Sequence, residues 1–268
     1  MDGPTGYVVL ATAAFIAGVM NSLAGGGTLL TFPALMTVLT PLYGSTAAAV
    51  ANATSTVALL PGSIAGTWGY RREYAAARNF ALKMLLPSLL GGWTGSRLLV
   101  LYPGHFTPLV PWLILTAAVL FLIQQPLSQV LKRKQAEHLP VATGGKLAVL
   151  IGFQFLVATY GGYFGAGIGI LMLTALGFMG VTSIHHANGV KTLLASVING
   201  VAVVEFVAGG LVKWKYAGVM AIAAIVGGYV GARVARRLPA TYMRWVVVLI
   251  GFGLAGYYAW KQWNTTAG

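Results

Sequence analysis

The chain has 268 residues, 57% of them hydrophobic and 8% charged, with a mean hydropathy of +0.79. A soluble domain cannot hide that much apolar surface, so the composition excludes a water-soluble globular fold and fits a polytopic α-helical membrane protein. Lys and Arg number 17 against four acids, and cysteine is absent, which excludes disulfide and thiol chemistry.

In a membrane protein the cationic excess is read as orientation signals and contact with anionic lipid, not as nucleic-acid binding. The expected location is the inner membrane, multi-pass.

Apolar segments fall at about 7–24, 28–40, 44–68, 80–101, 108–130, 146–164, 168–180, 184–210, 216–236 and 242–262. The first has no basic stretch before it and is read as a retained helix, not a signal peptide. It ends in Asn21-Ser22-Leu23-Ala24-Gly25-Gly26-Gly27-Thr28. Three consecutive glycines break a helix, because each costs backbone entropy and buries no side chain. A related stretch, Gly165-Ala166-Gly167-Ile168-Gly169, follows the sixth segment. The segments after these breaks, 28–40 and 168–180, are shorter than the about 20 residues a straight span needs. Each is read as a glycine-broken half-helix, re-entrant or tilted, with a short ordinary helix after a glycine turn as the plainer alternative.

The polar stretch 131–145, carrying Lys132-Arg133-Lys134 on its N-terminal side, divides the chain into a first transmembrane repeat (1–130), a cytoplasmic linker (131–145) and a second repeat (146–268). Asn52 is matched by Asn188, 136 residues on. At the same spacing Gly91-Gly92-Trp93-Thr94-Gly95-Ser96-Arg97 falls on Gly227-Gly228-Tyr229-Val230-Gly231-Ala232-Arg233. The glycine breaks align at 142. The fold expected is therefore all-α, with two homologous repeats of about five hydrophobic segments each and eight to ten membrane helices. If all segments cross, the repeats are inverted; if the short ones re-enter, they are parallel. Placing the basic loops 71–83 and 132–146 in the cytoplasm leaves more Lys and Arg inside in the inverted arrangement, which is the reading adopted.

Two matched segments carry polar stripes. Ser45, Asn52, Ser55, Thr56 and Ser63 cover roughly a third of one helix circumference. Asn188, Lys191, Thr192, Ser196 and Asn199 share a face of the other. Such a stripe must meet protein or water, because lipid offers no hydrogen-bond partner. Interhelical hydrogen bonding accounts for Ser45 and Ser196. The matched asparagines with Lys191 fit a lined cavity better. Two readings stand for Lys191: it awaits a mobile anion, or it snorkels to the interface near His185-His186. Glu205 is the acid expected deepest in an apolar segment. It is either a coupling carboxylate or a group held by a nearby cation.

The first break offers backbone N–H groups at a helix start, so Gly25, Gly26, Gly27 and Thr28 could cradle an oxyanion, with Asn21 and Ser22 one turn before. Close helix packing at glycine is the alternative, and both can hold. The expected substrate-binding set is Asn21, Ser22, Gly25, Gly26, Gly27, Thr28, Asn52, Ser55, Thr56, Gly167, Gly169, Asn188, Lys191, Thr192 and Asn199, with Glu205 for coupling.

From Asn21 to Leu35, through the triple glycine and Leu29-Leu30-Thr31-Phe32-Pro33-Ala34-Leu35, the sequence resembles the TauE/SafE family of sulfite and organosulfonate exporters. Ala49-Val50-Ala51-Asn52-Ala53-Thr54-Ser55 and the Gly91-Gly92-x-x-Gly95 turn support the resemblance. The second copy departs from it, with Ile168 where a third glycine is usual and Ala175 in place of proline. The resemblance implies a duplicated permease for small, often sulfur-containing anions. The reading is a secondary transporter: no phosphate-binding G-x-x-x-x-G-K-[ST] is present. An intramembrane enzyme acting on a lipid or small anion, and a non-transporting membrane subunit, are the rivals. No catalytic residue, metal or cofactor is expected. The partners expected are a small anion, the bilayer and a second copy of the chain, with no nucleic acid.

Overall fold

The computed structural model of the chain describes residues 3–23, 26–136, 143–181, 183–234 and 240–266. Side chains are described for all of these except 22–23, 124–136, 184, 231–234, 240–244 and 265–266. Ala24 and Gly25 lie outside the described residues, as do the side chains of Ser22, Lys132–Lys134, Arg233 and Arg244 and the whole of Arg236 and Arg237.

Among the described residues the regular structure is helical, with no strand. The helices are α1 (Pro4–Leu23), α2 (Thr28–Tyr43), α3 (Ala47–Gly69), α4 (Arg71–Ala76), α5 (Arg78–Leu101), α6 (Pro103–Ala136), α7 (Gly144–Tyr163), α8 (Ile168–Phe178), α9 (Ile184–Ala208), α10 (Trp214–Val234) and α11 (Ala240–Thr266). Ten of them coincide with the ten apolar segments of the sequence. The eleventh, α4, occupies a stretch expected to be a basic loop. It is a single amphipathic turn and a half, with Arg71 and Arg72 exposed and Glu73 and Tyr74 half-buried. Helix α6 also continues beyond position 130, to Ala136.

Six helical stretches among the described residues are long and apolar enough to cross a membrane, one of them the 42 residues of α2 and α3 together. Large apolar side chains lie exposed along them, among them Trp112, Val149, Leu156 and Val204, each at least 65% exposed. In water such a surface would aggregate; in a bilayer it is the lipid face. The protein is a multi-pass membrane protein.

The helices form two compact units. One comprises residues 1–62, 98–122 and 206–268; the other comprises 63–97 and 123–205. Each draws on both halves of the sequence. In the first unit α10 lies along α1 at glycine contacts. A Cβ at Gly18 would collide with the Ala224 carbonyl, and one at Gly227 with the Phe15 carbonyl. In the second unit α5 lies along α7 in the same manner. A Cβ at Gly95 would collide with the Thr159 carbonyl, and one at Gly162 with the Gly92 carbonyl. Between membrane helices no hydrophobic force drives association, so this closeness of backbones supplies the packing energy. Gly91 and Gly227, matched by sequence, thus do matched work: each packs against a helix that precedes a glycine break, a Cβ colliding with the Phe155 carbonyl of α7 or the Phe15 carbonyl of α1.

Candidate functional site

Both breaks expected from the glycine runs are present. Helix α1 ends at Leu23 and α2 begins at Thr28. Gly26 takes φ +88°, a conformation that L side chains rarely adopt, and a Cβ there would sit 2.6 Å from Phe121 Cζ. Helix α7 ends at Tyr163 and α8 begins at Ile168, with Gly165 at φ +86° and Gly167 at φ +81°. Gly169 lies inside α8, as its second residue, not in the break.

The first break is closed by its own side chains. The Asn21 amide oxygen accepts the Gly27 N–H at 3.0 Å. The Gly27 carbonyl accepts from the Thr31 N–H at 3.1 Å and from the Thr31 hydroxyl at 3.2 Å. That hydroxyl also pairs with Ser55 of α3 at 2.6 Å, both side chains fully buried. The Gly27 amide, expected to be available to an oxyanion, is therefore engaged within the chain. Thr28 opens α2 as its first residue. Asn52 is buried on α3, and the Thr56 hydroxyl bonds back to the Asn52 carbonyl at 2.9 Å. Thr54, on the same helix, accepts the Lys213 N–H at 3.1 Å.

The second break is built differently. No side chain caps α8 at Gly167. The Tyr160 hydroxyl donates to the Ala166 carbonyl at 2.9 Å and fixes the turn from below. Lys191 of α9, at the position that corresponds to Ser55, lays its stem along the first turn of α8. A Cβ at Gly169 would sit 3.1 Å from Lys191 Cδ and 3.7 Å from Cγ and Cε. The absence of a side chain at Gly169 is what admits the lysine. Asn199, eight residues further along α9, faces the same break: its amide oxygen lies 3.9 Å from where a Gly165 Cβ would be. Asn188 and Thr192 are half-buried nearby on α9, joined by a Thr192 hydroxyl bond to the Asn188 carbonyl at 2.8 Å.

A lysine beside a helix N-terminus places two positive ends together. The amides of a helix start carry about half a positive charge. Among the described residues no carboxylate pairs with Lys191. The arrangement lacks negative charge and has donors at hand, so it suits an oxyanion.

The remaining polar residues serve packing. The Ser196 hydroxyl donates to the Ser63 carbonyl at 2.9 Å and pairs with Thr67 at 2.7 Å, tying α9 to the end of α3. Gln154 of α7 donates to Ser88 of α5 at 2.9 Å, and both are buried. Sequence reasoning left Thr31 and Gln154 out of the candidate set. Thr31, four residues after Gly27, was the available signal for the closed first turn. Glu205 accepts a hydrogen bond from Trp93 Nε1 at 3.0 Å and forms an ion pair with Arg97 at 3.4 Å. It is thus held by a neighbouring cation, one of the two readings open for it. No group of three or more His, Cys, Asp or Glu positioned for a metal occurs among the described residues.

A family profile described as Sulfite exporter TauE/SafE matches residues 10–258. The chain is 26% identical over 260 residues to a probable membrane transporter protein of Haemophilus influenzae, covering 95% of this chain and 94% of that one. It is 30% identical over 247 residues to the probable membrane transporter protein YfcA of Escherichia coli K12, covering 89% and 82%. It is 26% identical over 263 residues to the probable membrane transporter protein YunE of Bacillus subtilis, covering 91% and 96%. No solved structure gives a significant match.

Proposed function

We propose, from the premise that this chain belongs to the sulfite exporter TauE/SafE family and is a membrane transporter, that it carries a small sulfur-containing anion across the inner membrane without catalysing a reaction. Sulfite or an organosulfonate is the favoured substrate class. The observation that carries the reading is the Lys191 stem resting on the uncapped first turn of α8. The lysine supplies charge, the α8 amides supply directed donors, and Asn188, Thr192 and Asn199 supply neutral polar groups. One cation with neutral donors attracts an oxyanion without holding it too strongly for release.

The matched first break carries Ser55 where the second carries Lys191, and its amide is already satisfied by Asn21. The anion therefore belongs to the second break, and the first serves as its neutral structural counterpart. The repeats are taken as inverted and related by a pseudo-two-fold axis, with Asn52 and Asn188 equivalent. Because the chain lacks cysteine, single engineered cysteines in the 71–83 and 209–215 loops, labelled from each side of the membrane, test that orientation.

Flux of labelled sulfite, sulfoacetate and taurine into proteoliposomes tests the function. Saturable, protein-dependent uptake of at least one anion is expected. Uptake equal to that of protein-free vesicles for all three would overturn the reading.

A further inference from the structure

One end of the first unit gathers cations and aromatic rings. Helices α1 and α10 run in the same direction: Tyr7 meets Tyr216 near their starts, at 5.6 Å between ring centroids, and further along Gly18 lies against Ala224. Helix α2 returns to the same end. Lys213, the residue before α10, holds its Nζ 4.5 Å from the ring centroid of Tyr43, the last residue of α2. Lys215 Nζ lies 4.7 Å from the Tyr216 ring centroid. The backbone beneath these lysines is pinned, because the Lys213 N–H donates to the hydroxyl of buried Thr54 at 3.1 Å. Between the two lysines Trp214 is 61% exposed. Lysines over ring faces with an exposed tryptophan between them suit the boundary of hydrocarbon and headgroups.

From this end a groove of about 370 Å³ descends the lipid face. Val8, Val9, Thr12, Ala13 and Ile16 of α1 and Leu30 of α2 line it. Val8 directly follows Tyr7, so the groove begins beside the tyrosine pair, and from Val8 to Ile16 its α1 wall is about 12 Å long. The volume lies in the range of small-ligand sites, about 300–1,000 Å³. At this depth a bilayer offers hydrocarbon and no water, so the natural filling is an acyl chain. A chain seated in the groove brings its headgroup to the level of Lys213 and Lys215. Two ammonium groups attract a phosphate and repel the cation of a zwitterionic headgroup.

We propose that this face of α1, α2 and α10 is a binding site for an anionic phospholipid: one acyl chain fills the groove, and the phosphate meets Lys213 and Lys215. No covalent bond forms or breaks. The inference goes beyond the transport reading and shares no residue with its anion site.

Native mass spectrometry of the purified full-length protein, exchanged into detergent with equal amounts of a phosphatidylglycerol and a phosphatidylcholine of identical chains, tests it. The parent should retain phosphatidylglycerol in preference. A lysine beside anionic lipid is worth about fivefold in binding, so Lys213→Gln with Lys215→Gln should lower the preference by up to about 25-fold. Lys213→Arg with Lys215→Arg should keep it. Arg71→Gln with Arg72→Gln, at exposed positions on α4, should keep it too. Thr12→Phe and Ala13→Phe each fill the groove and should lower phosphatidylglycerol retention severalfold with both lysines intact, an effect that a phosphate held by charge alone would not show. Equal retention of the two lipids by the parent would overturn the proposal. So would a preference that survives the Lys→Gln pair, one lost as fully in the Arg→Gln pair, or retention unchanged by both groove variants. Anion transport does not enter the readout, so failure here leaves the transport reading standing, and failure of flux leaves this one standing.

Discussion

Replacing Lys191 by Met keeps most of the stem that rests on Gly169 and removes the charge. At about 4 Å, a cation and an anion attract by about 4 kcal/mol at an effective dielectric of 20. Desolvation of both partners takes back part of this, so the net value of a charged hydrogen bond is about 1.5–3 kcal/mol. Lys191→Met should therefore weaken anion binding by about 10- to 150-fold. The same variant removes a cation that no described acid compensates, so it should unfold at the same temperature as the parent or higher. The assay is equilibrium binding of labelled sulfite and sulfoacetate to purified, monodisperse protein, with thermal unfolding measured on the same samples. Lys191→Arg retains the charge but presents a planar fork, so the order of preference among anions should change. Equal affinity in Lys191→Met and parent would refute the reasoning and assign the lysine to snorkelling at the interface.

Gly169→Ala places a methyl 3.1 Å from Lys191 Cδ, tight enough to shift the stem by a few tenths of an ångström. It should lower anion affinity severalfold with little change in unfolding temperature, read by the same binding assay. Gly95→Leu drives a side chain into the Thr159 carbonyl on α7; overpacking of this kind costs about 1–3 kcal/mol or more, so a lower melting temperature in detergent is expected. Gly227→Leu should do the same through Phe15 of α1. Thr31→Val removes the bonds to Gly27 and Ser55 and should cost about 1 kcal/mol of stability, measured by denaturant unfolding. Glu205→Gln breaks an ion pair whose arginine is 48% exposed; such pairs are worth at most about 1 kcal/mol, so transport should persist. Abolished transport with intact folding would instead identify Glu205 as the coupling acid.

Much of this fold is legible in the sequence because a membrane imposes simple rules. Span lengths follow from hydrocarbon thickness, and all ten apolar segments are helices, with ends close to the expected ones except in α6, which runs from Pro103 to Ala136. Glycine runs mark both breaks because positive φ is cheap only for glycine. Helix α4 escapes because six residues give no periodicity and its arginines read as loop. The pairing of α5 with α7, and of α10 with α1, escapes for another reason. A glycine surface shows that some backbone comes close, but not which one.

The candidate site divides along the same line. Lys191 and the matched asparagines stand out because a cation or an amide in an apolar run is costly. That Asn21 closes the first break is invisible, since the bond spans six residues across a turn whose path the sequence does not specify. The Ser55–Thr31 bond, between residues 24 apart on two helices, is equally hidden. These two bonds separate the two breaks in role, although their glycines look alike.

The most direct test of the central claim is anomalous diffraction from crystals of the full-length protein grown with selenite, a heavier analogue of sulfite. The account predicts a selenium peak beside the α8 N-terminus, with an oxyanion oxygen about 2.7–2.9 Å from Lys191 Nζ. A peak at the α1–α2 break with the second break empty would contradict it, as would selenite bound equally well in Lys191→Met crystals.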